Sequence, residues 1–267
     1  MSMLRITNLK KTFNAGTVNQ KVAMDDINLH LEKGDFVTVI GSNGAGKSTL
    51  FNLIGGYFLS DEGQILLDGQ DITFMKEHKR AKYIGRLFQD PLKGTAPSMT
   101  IEENLALCYM RSNSKAFSLG VSKKEKELFR ERLAQLDLGL EDRMKTKMGL
   151  LSGGQRQAVT LLMSTLVAPK LLLLDEHTAA LDPATADKVL KITKEIVEEH
   201  HITTMMITHN IQSSLDLGNR TIMMDAGKII LDIKEETRAQ MTVPDLLELF
   251  KKESHKVLDN DRMLLAK

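Results

Sequence analysis

Two periods of hydrophobic and polar residues run along the chain, and the places where one gives way to the other divide it. Near the start, "LRITNL", "INLHLEKGDFVTVIG" and "GQILLDGQDIT" alternate with period two, which predicts strands. In the second of these, residues 27–31 and 35–40 are separated by "EKG", a spacing that predicts a hairpin. The later half, Asp35 to Ile40, is apolar enough for a buried strand and runs straight into a glycine-rich loop. After "IGRLFQD" the period becomes helical. In "SKKEKELFRERLAQLDLGL", Ser122 and Glu125 have capping-box spacing, and Phe129, Leu133 and Leu136 fall on one face. The charges from Lys123 to Arg132 then form the solvated face. Beyond Leu151, "KLLLLDE" and "ITTMMITHN" are unbroken apolar runs, the pattern of parallel strands covered on both faces. Asp182 and Pro183 form an N-cap and first-turn pair for a helix to about His200. "RTIMMDAGKIILDI" predicts a hairpin turning at Asp225 to Gly227, and "TVPDLLELFKK" an amphipathic helix before a charged end.

The expected organisation is one α/β domain. Its core, residues 1–90 and 151–233, carries a mostly parallel sheet and an N-terminal antiparallel β region; a helical subdomain is inserted at 91–150 and an extension follows at 234–267.

Composition narrows the partners. Lys and Arg number 36 against 35 Asp and Glu, so no polyanion such as nucleic acid is expected as the main partner. The single cysteine, Cys108, cannot form an internal disulfide, which fits a reducing compartment, and it reads as a small buried apolar residue. "MSMLRITNLKKTF" lacks a long apolar stretch, so no signal peptide is expected, and no apolar run approaches the roughly eighteen residues of a membrane span. The expected protein is soluble, or held at a membrane only through a partner. The pairs Met205-Met206 and Met223-Met224 read as core filling. His200 and His201 read as residues near a helix C-terminus and His78 as a solvated surface histidine, rather than as metal ligands.

The chemistry gathers in four places. The loop Gly41, Ser42, Asn43, Gly44, Ala45, Gly46, Lys47, Ser48, Thr49 matches the pattern G-x-x-x-x-G-K-[ST] between a strand and a helix. Its glycines let backbone N–H groups turn onto phosphates, helped by the positive end of the helix. Lys47 can reach the β- and γ-phosphates of a nucleoside triphosphate, and the Ser48 hydroxyl can ligate Mg²⁺. Asp175 ends a buried strand at the edge where such sheets bind ligands, and can hold Mg²⁺ through its water shell. Glu176 can accept a proton from an attacking water. His209 ends another apolar strand, hence at the same edge, where a γ-phosphate in transfer needs donors or positive charge. Gln89 also follows a strand; spacing does not choose between a contact to Mg²⁺ or water and an ordinary strand-end role. "LSGGQ" is a second anion-binding turn, with a hydroxyl, two glycines and a helix start.

With "GSNGAGKST", "LSGGQ", "LLLLDEHTAALD" and "ITHN" in this order, the chain resembles the ABC-type ATPases, the nucleotide-binding subunits of ABC transporters, over about Leu4 to Ile233. The resemblance implies a P-loop NTPase core and places Phe13 where an aromatic ring, usually Tyr, stacks on adenine. It makes Gln89 the glutamine that links the site to the helical subdomain, Glu176 the catalytic base, Asp182 the D-loop aspartate and His209 the switch histidine. Ser152, Gly153, Gly154 and Gln155 become the signature, which meets the γ-phosphate bound by a partner subunit. His177 departs from the pattern, in which proline often follows the catalytic glutamate, and sets a titratable group beside the base.

The function so implied is ATP hydrolysis, with Mg²⁺, that energises a transporter: ATP clamps two ATPase subunits together and hydrolysis releases them. "SMTIEENLAL" and "LDLGNRTIMMDAGKIILDI" are similar to uptake ATPases of the amino-acid kind. The implied partners are a second copy or a similar ATPase subunit, separate membrane permease subunits, and an extracytoplasmic substrate-binding protein. The chain would sit at the cytoplasmic face of the membrane, held there by the permeases. The alternative is a soluble ABC ATPase that moves no solute, such as an iron–sulfur cluster assembly ATPase.

Overall fold

The computed structural model describes residues 2–112 and 121–254; Met1, part of the expected helical insertion and the charged end of the chain lie outside them. The elements follow in the order β1 (Ser2–Phe13), β2 (Lys21–Glu32), β3 (Phe36–Gly41), α1 (Lys47–Gly55), β4 (Glu62–Leu67), β5 (Gln70–Asp71), α2 (Glu77–Arg80), β6 (Ile84–Leu87) and α3 (Ile101–Ser112). The chain continues through α4 (Lys123–Ala134), a short 3₁₀ turn (Met148–Leu150), α5 (Gly153–Thr165), β7 (Leu171–Asp175), α6 (Pro183–Glu199), β8 (Thr204–Ile207) and α7 (Ile211–Asp216). It closes with β9 (Arg220–Asp225), β10 (Lys228–Lys234), α8 (Glu235–Ala239) and α9 (Val243–Ser254). Two compact units result, the first from residues 1–84, 170–175 and 201–267, the second from 85–169 and 176–200.

The first unit holds an antiparallel sheet in the order β2-β1-β4-β5 and a mainly parallel one in which β10-β9-β3-β8-β7 lie side by side. The strands β9, β3, β8 and β7 run parallel, with Val39 and Asp175 both opposite Ile207 and Gly41 opposite Met224. β10 turns back antiparallel on β9 at Asp225 and Lys228, the hairpin the sequence predicts. Alternate residues of β3 serve two cores. Val37 and Val39 join Leu50, Phe51, Leu171, Leu173, Met205 and Met224, while Ile40 joins Ile211, Met223, Leu246 and Phe250. All four methionines of the two pairs are buried.

One expected pairing does not form. β2 pairs with β1, whereas β3 lies in the other sheet between β8 and β9. The reason is burial. Every residue of β3 is buried, so it needs neighbours on both edges and cover on both faces, whereas β2 alternates and keeps one face in solvent. The "EKG" turn moves the chain between sheets, tied down by Gly34 N–H to Thr203 Oγ1 at 2.9 Å and Thr204 N–H to the Asp35 carbonyl at 2.8 Å.

In the second unit, α5 packs against α3, α4 and α6, so this body takes in more than the 91–150 insertion. Ser122 and Glu125 form the expected capping box on α4, and Phe129, Leu133 and Leu136 are buried. Cys108 is only half-buried, a correction to its expected core position: it follows the buried Ile101, Asn104 and Leu105 on one face of α3, but a turn beyond them, where cover is incomplete.

The run "KEHKR" is solvated at His78 but not at Arg80, whose side chain is fully buried. Its guanidinium donates to the carbonyls of Leu53 and Ile54 in the last turn of α1 and to those of Thr73 and Met75, at 2.7–2.8 Å. Burial lowers its pKa to about 10, so it stays charged at neutral pH. Arg80→Ala would strand four carbonyls, and a loss of about 3 kcal/mol or more is expected in urea unfolding. A loss below about 1 kcal/mol would show that water replaces the guanidinium.

Candidate functional site

The glycine-rich loop leaves β3 at Gly41 and enters α1 at Lys47. Gly41 has φ 145°, and a Cβ there would collide with the Met224 carbonyl on β9, so only glycine lets the strand end so close to its neighbour. α1 has no acidic residue in its first turn, leaving its N–H groups and positive end available to an anion. Lys47 is buried and its Nζ donates to the carbonyls of Gly41 and Ser42 at 2.7 and 3.0 Å, so the cation arches over the loop. Asn43, Gly44 and Ser48 are exposed, Ala45 is buried, and Gly46 and Thr49 are half-buried. The loop is braced by the β9–β10 hairpin, since Ser42 Oγ donates to Asp225 Oδ1 at 2.9 Å and Gly227 N–H to the Ala45 carbonyl at 2.9 Å.

Parallel register carries other predicted residues to the same edge. Asp175 is the last residue of β7, opposite Ile207, and His209 follows two residues after that pairing. Thr208 N–H donates to the Val39 carbonyl, extending the ladder toward the loop. Both Asp175 and His209 are half-buried. His209 directly precedes Asn210, whose side chain accepts from Ser213 N–H and caps α7. The first unit thus brings Gly41–Thr49, Asp175 and His209 to one strand-end edge. Phe13 ends β1 and packs edge-on against Phe58, with ring centroids 5.0 Å apart, which orients its ring.

The second unit carries the rest. Ser152 is the N-cap of α5: its Oγ accepts from Gln155 N–H and Gln155 Oε1 accepts from Ser152 N–H, both at 3.3 Å. Ser152 and Gly153 are exposed, and this helix too has no acidic residue in its first turn. Gly154 is buried because α6 lies so close that a Cβ would collide with Thr185 Cγ2. Arg156, which the sequence reading passed over, donates to the carbonyls of Met148, Gly149 and Leu151 at 2.8–3.1 Å and fixes the approach to this turn. Its acceptors are backbone atoms, so no residue pattern announces it.

Asp182 caps α6 as expected, accepting from Thr185 N–H at 3.1 Å, and the Thr185 hydroxyl and N–H hold its carboxyl below the ordinary aspartate range. Glu176 is half-buried and has φ 48°, a left-handed conformation unusual outside Asn, Asp and Gly. Gln89 is exposed, two residues past β6. His200 is the C-cap of α6, and the neighbouring His201 is exposed, with φ 48°. Among the described residues no group of three or more His, Cys, Asp or Glu is arranged to hold a metal alone, and no helix is long and apolar enough to cross a membrane.

Residues 24–179 match a family model described as ABC transporter. The chain is 44% identical over 249 residues to the tyrosine transport ATP-binding protein of Clostridioides difficile (strain R20291), covering 93% of this chain and 98% of that protein. It is 35% identical over 231 residues to the methionine import ATP-binding protein of Rhizobium johnstonii, covering 85% of this chain and 60% of that protein. Among solved structures it is similar to a dimeric ATP-binding cassette in a post-hydrolysis state bound to ADP and Pi. That match has a TM-score of 0.75 and 29% identity, covering 87% of this chain and 98% of the other.

His177, the titratable group that the sequence sets beside Glu176, is shielded from solvent. It is buried, and its Nε2 lies 3.2 Å from Thr193 Oγ1. The Thr193 hydroxyl already donates to the Val189 carbonyl at 2.8 Å, so the imidazole donates through Nε2–H. Burial pushes its pKa down to about 4, so the ring stays neutral around pH 7. Below the ordinary value of 6.5 the unfolded chain takes up a proton that the folded one refuses, so this stability is complete above pH 6.5 and is lost as pH falls toward 4. About 2 kcal/mol should be gone by about pH 5. In His177→Gln that component is absent, and urea unfolding from neutral pH to about pH 5 should show wild type losing stability faster than the variant. Parallel losses would contradict the neutral, buried imidazole.

Proposed function

Since the chain belongs to the ABC transporter family, as one of its ATP-hydrolysing subunits, we propose that it powers uptake of an amino acid or a related small solute. The observation that carries this reading is the single strand-end edge formed by the glycine-rich loop, Asp175 and His209. The loop receives the triphosphate of ATP, with Lys47 on the β- and γ-phosphates, and Phe13 stacks on the adenine. Ser48 would ligate Mg²⁺, Asp175 would hold it through its water shell and Gln89 would contact the ion or the attacking water. These oxygen donors suit an ion that takes one or two protein ligands together with substrate phosphates, whose charge it would neutralise.

In hydrolysis a water oxygen attacks the γ-phosphorus, its proton passes to the Glu176 carboxylate, and ADP leaves with the bridging oxygen. His209 stabilises the charge on the transferring group. The capped turn Ser152–Gln155 is a second anion site in the same chain, and its role is to meet the γ-phosphate held by a second copy or a similar subunit. Asp182 lies in that interface. The dimeric cassette with ADP and Pi supports this arrangement.

The chain works at the cytoplasmic face of the membrane, bound to separate permease subunits, with an extracytoplasmic binding protein delivering the solute. The names of the tyrosine and methionine relatives support an amino-acid cargo, and an aromatic amino acid is the first to test.

Glu176→Gln should bind ATP normally, collect as an ATP-bound dimer and turn over roughly 100-fold or more slowly, by radiolabelled phosphate release. Near-normal turnover would remove Glu176 as the base. Reconstituted with its permeases, the wild-type chain should drive ATP-dependent amino-acid uptake that the variant does not. Uptake indifferent to the variant would contradict the transport role.

A further inference from the structure

The C-terminal extension packs within the first unit through apolar residues of α9 and through one guanidinium of α8. Arg238, on α8, is buried, and its Nε donates to Thr221 Oγ1 at 2.9 Å and its Nη1 to the Gly218 carbonyl at 2.7 Å. Nη2 donates to the Ser214 carbonyl at 2.7 Å and to that of Leu217. Three of these acceptors belong to the last turn and exit of α7, where a cation is favoured and unpaired carbonyls need donors. The Ser214 carbonyl also accepts from Thr38 Oγ1 at 2.9 Å and Thr221 Oγ1 at 3.1 Å, and the two threonine hydroxyls lie 2.9 Å apart.

Three elements leading to the strand-end edge therefore meet in one buried polar cluster that Arg238 completes. β3 leads to the phosphate loop, β9 leads to the Asp225 that braces Ser42, and α7 starts two residues after His209, with Asn210 between them. α7 is a helix of six residues, too short to hold its own conformation, so its position depends on what grips its ends. Asn210 grips one end and Arg238 the other, while Leu246 and Phe250 of α9 bury against Ile211.

We infer that Arg238 is a positioning residue for His209: by fixing the C-terminal end of α7, the extension sets where the imidazole stands at the strand-end edge. The inference rests on the assignment of His209 to the γ-phosphate. A displacement of about 1 Å at a reacting group can cost roughly 100-fold in rate, so a clamp one helix away matters to turnover while leaving nucleotide affinity alone.

The test is a double-mutant cycle of Arg238→Met and His209→Ala, reading ATP turnover, ATP affinity and melting temperature, with turnover measured where all four proteins are folded. Arg238→Met should lower kcat roughly 3- to 30-fold with ATP affinity unchanged, and should add nothing in the His209→Ala background. Equal losses in both backgrounds, or a lowered melting temperature with kcat intact, overturn the inference. Wild-type turnover in His209→Ala alone would instead sink the His209 assignment. If His209→Ala turnover is too low to measure, the His209 imidazole proton signals decide: they should move in Arg238→Met, and unmoved signals overturn the inference. If Arg238→Met does not fold, Arg238→Lys is judged by the same criteria, since it keeps the charge but loses the planar fork.

Discussion

The parallel pairing of β3 with β8 and β9 is the constraint on which the rest depends. It sets Val39 and Asp175 level with Ile207 and brings Gly41 against Met224, so strands distant in sequence end on one line. Parallel strands need cover on both faces, and the two buried clusters supply it through alternate residues of β3. The chemistry is a consequence of that line. A phosphate loop must leave a strand and enter a helix within a few residues, and Gly41 makes this possible by ending its strand where any Cβ would meet a neighbouring carbonyl.

Guanidinium groups secure the far ends of the helices whose first turns lie at this edge. Arg80 grips the last turn of α1, whose first turn is the phosphate loop's exit, and Arg238 grips the end of α7, which His209 precedes. Arg156 does similar work before the Ser152 turn in the second unit. In each case a guanidinium answers carbonyls that a helix or turn leaves unpaired, and its several donors suit that task better than an ammonium would. The helix starts are built the opposite way: α1 and α5 carry no acidic residue in their first turns and leave their N–H groups to incoming anions. One chain therefore has two helix starts free of acidic residues, which is the physical basis for the proposal that two copies share their sites.

Features whose causes are local in sequence were legible there. The glycine-rich loop, the strand-end placement of Asp175 and His209, the Ser122 and Asp182 caps and the Asp225–Gly227 hairpin all follow from spacing of a few residues. The pairing of residues 27–31 with 35–40 failed because a three-residue "EKG" turn looks the same whether it closes a hairpin or passes the chain between sheets. The fully apolar run after it was the signal that should have decided, since a strand buried on both faces rarely sits beside an exposed edge. The burial of His177 was not legible because its partner, Thr193, lies on the following helix, and nothing in "DEHTAALD" shows which residue turns inward. Arg80, Arg156 and Arg238 were invisible for a plainer reason. Their partners are mostly backbone carbonyls, which every residue carries, so an arginine of this kind reads as one more charge in a polar run.

The central claim is that hydrolysis needs two chains, each completing the other's site. The dependence of ATPase activity per chain on protein concentration tests it most directly, at saturating ATP and fixed salt. Specific activity should fall on dilution through the dissociation constant of the ATP-bound pair, with the rate varying as about the square of concentration at the dilute end. Specific activity that stays constant on dilution, in a protein shown to be monomeric throughout, would contradict the account.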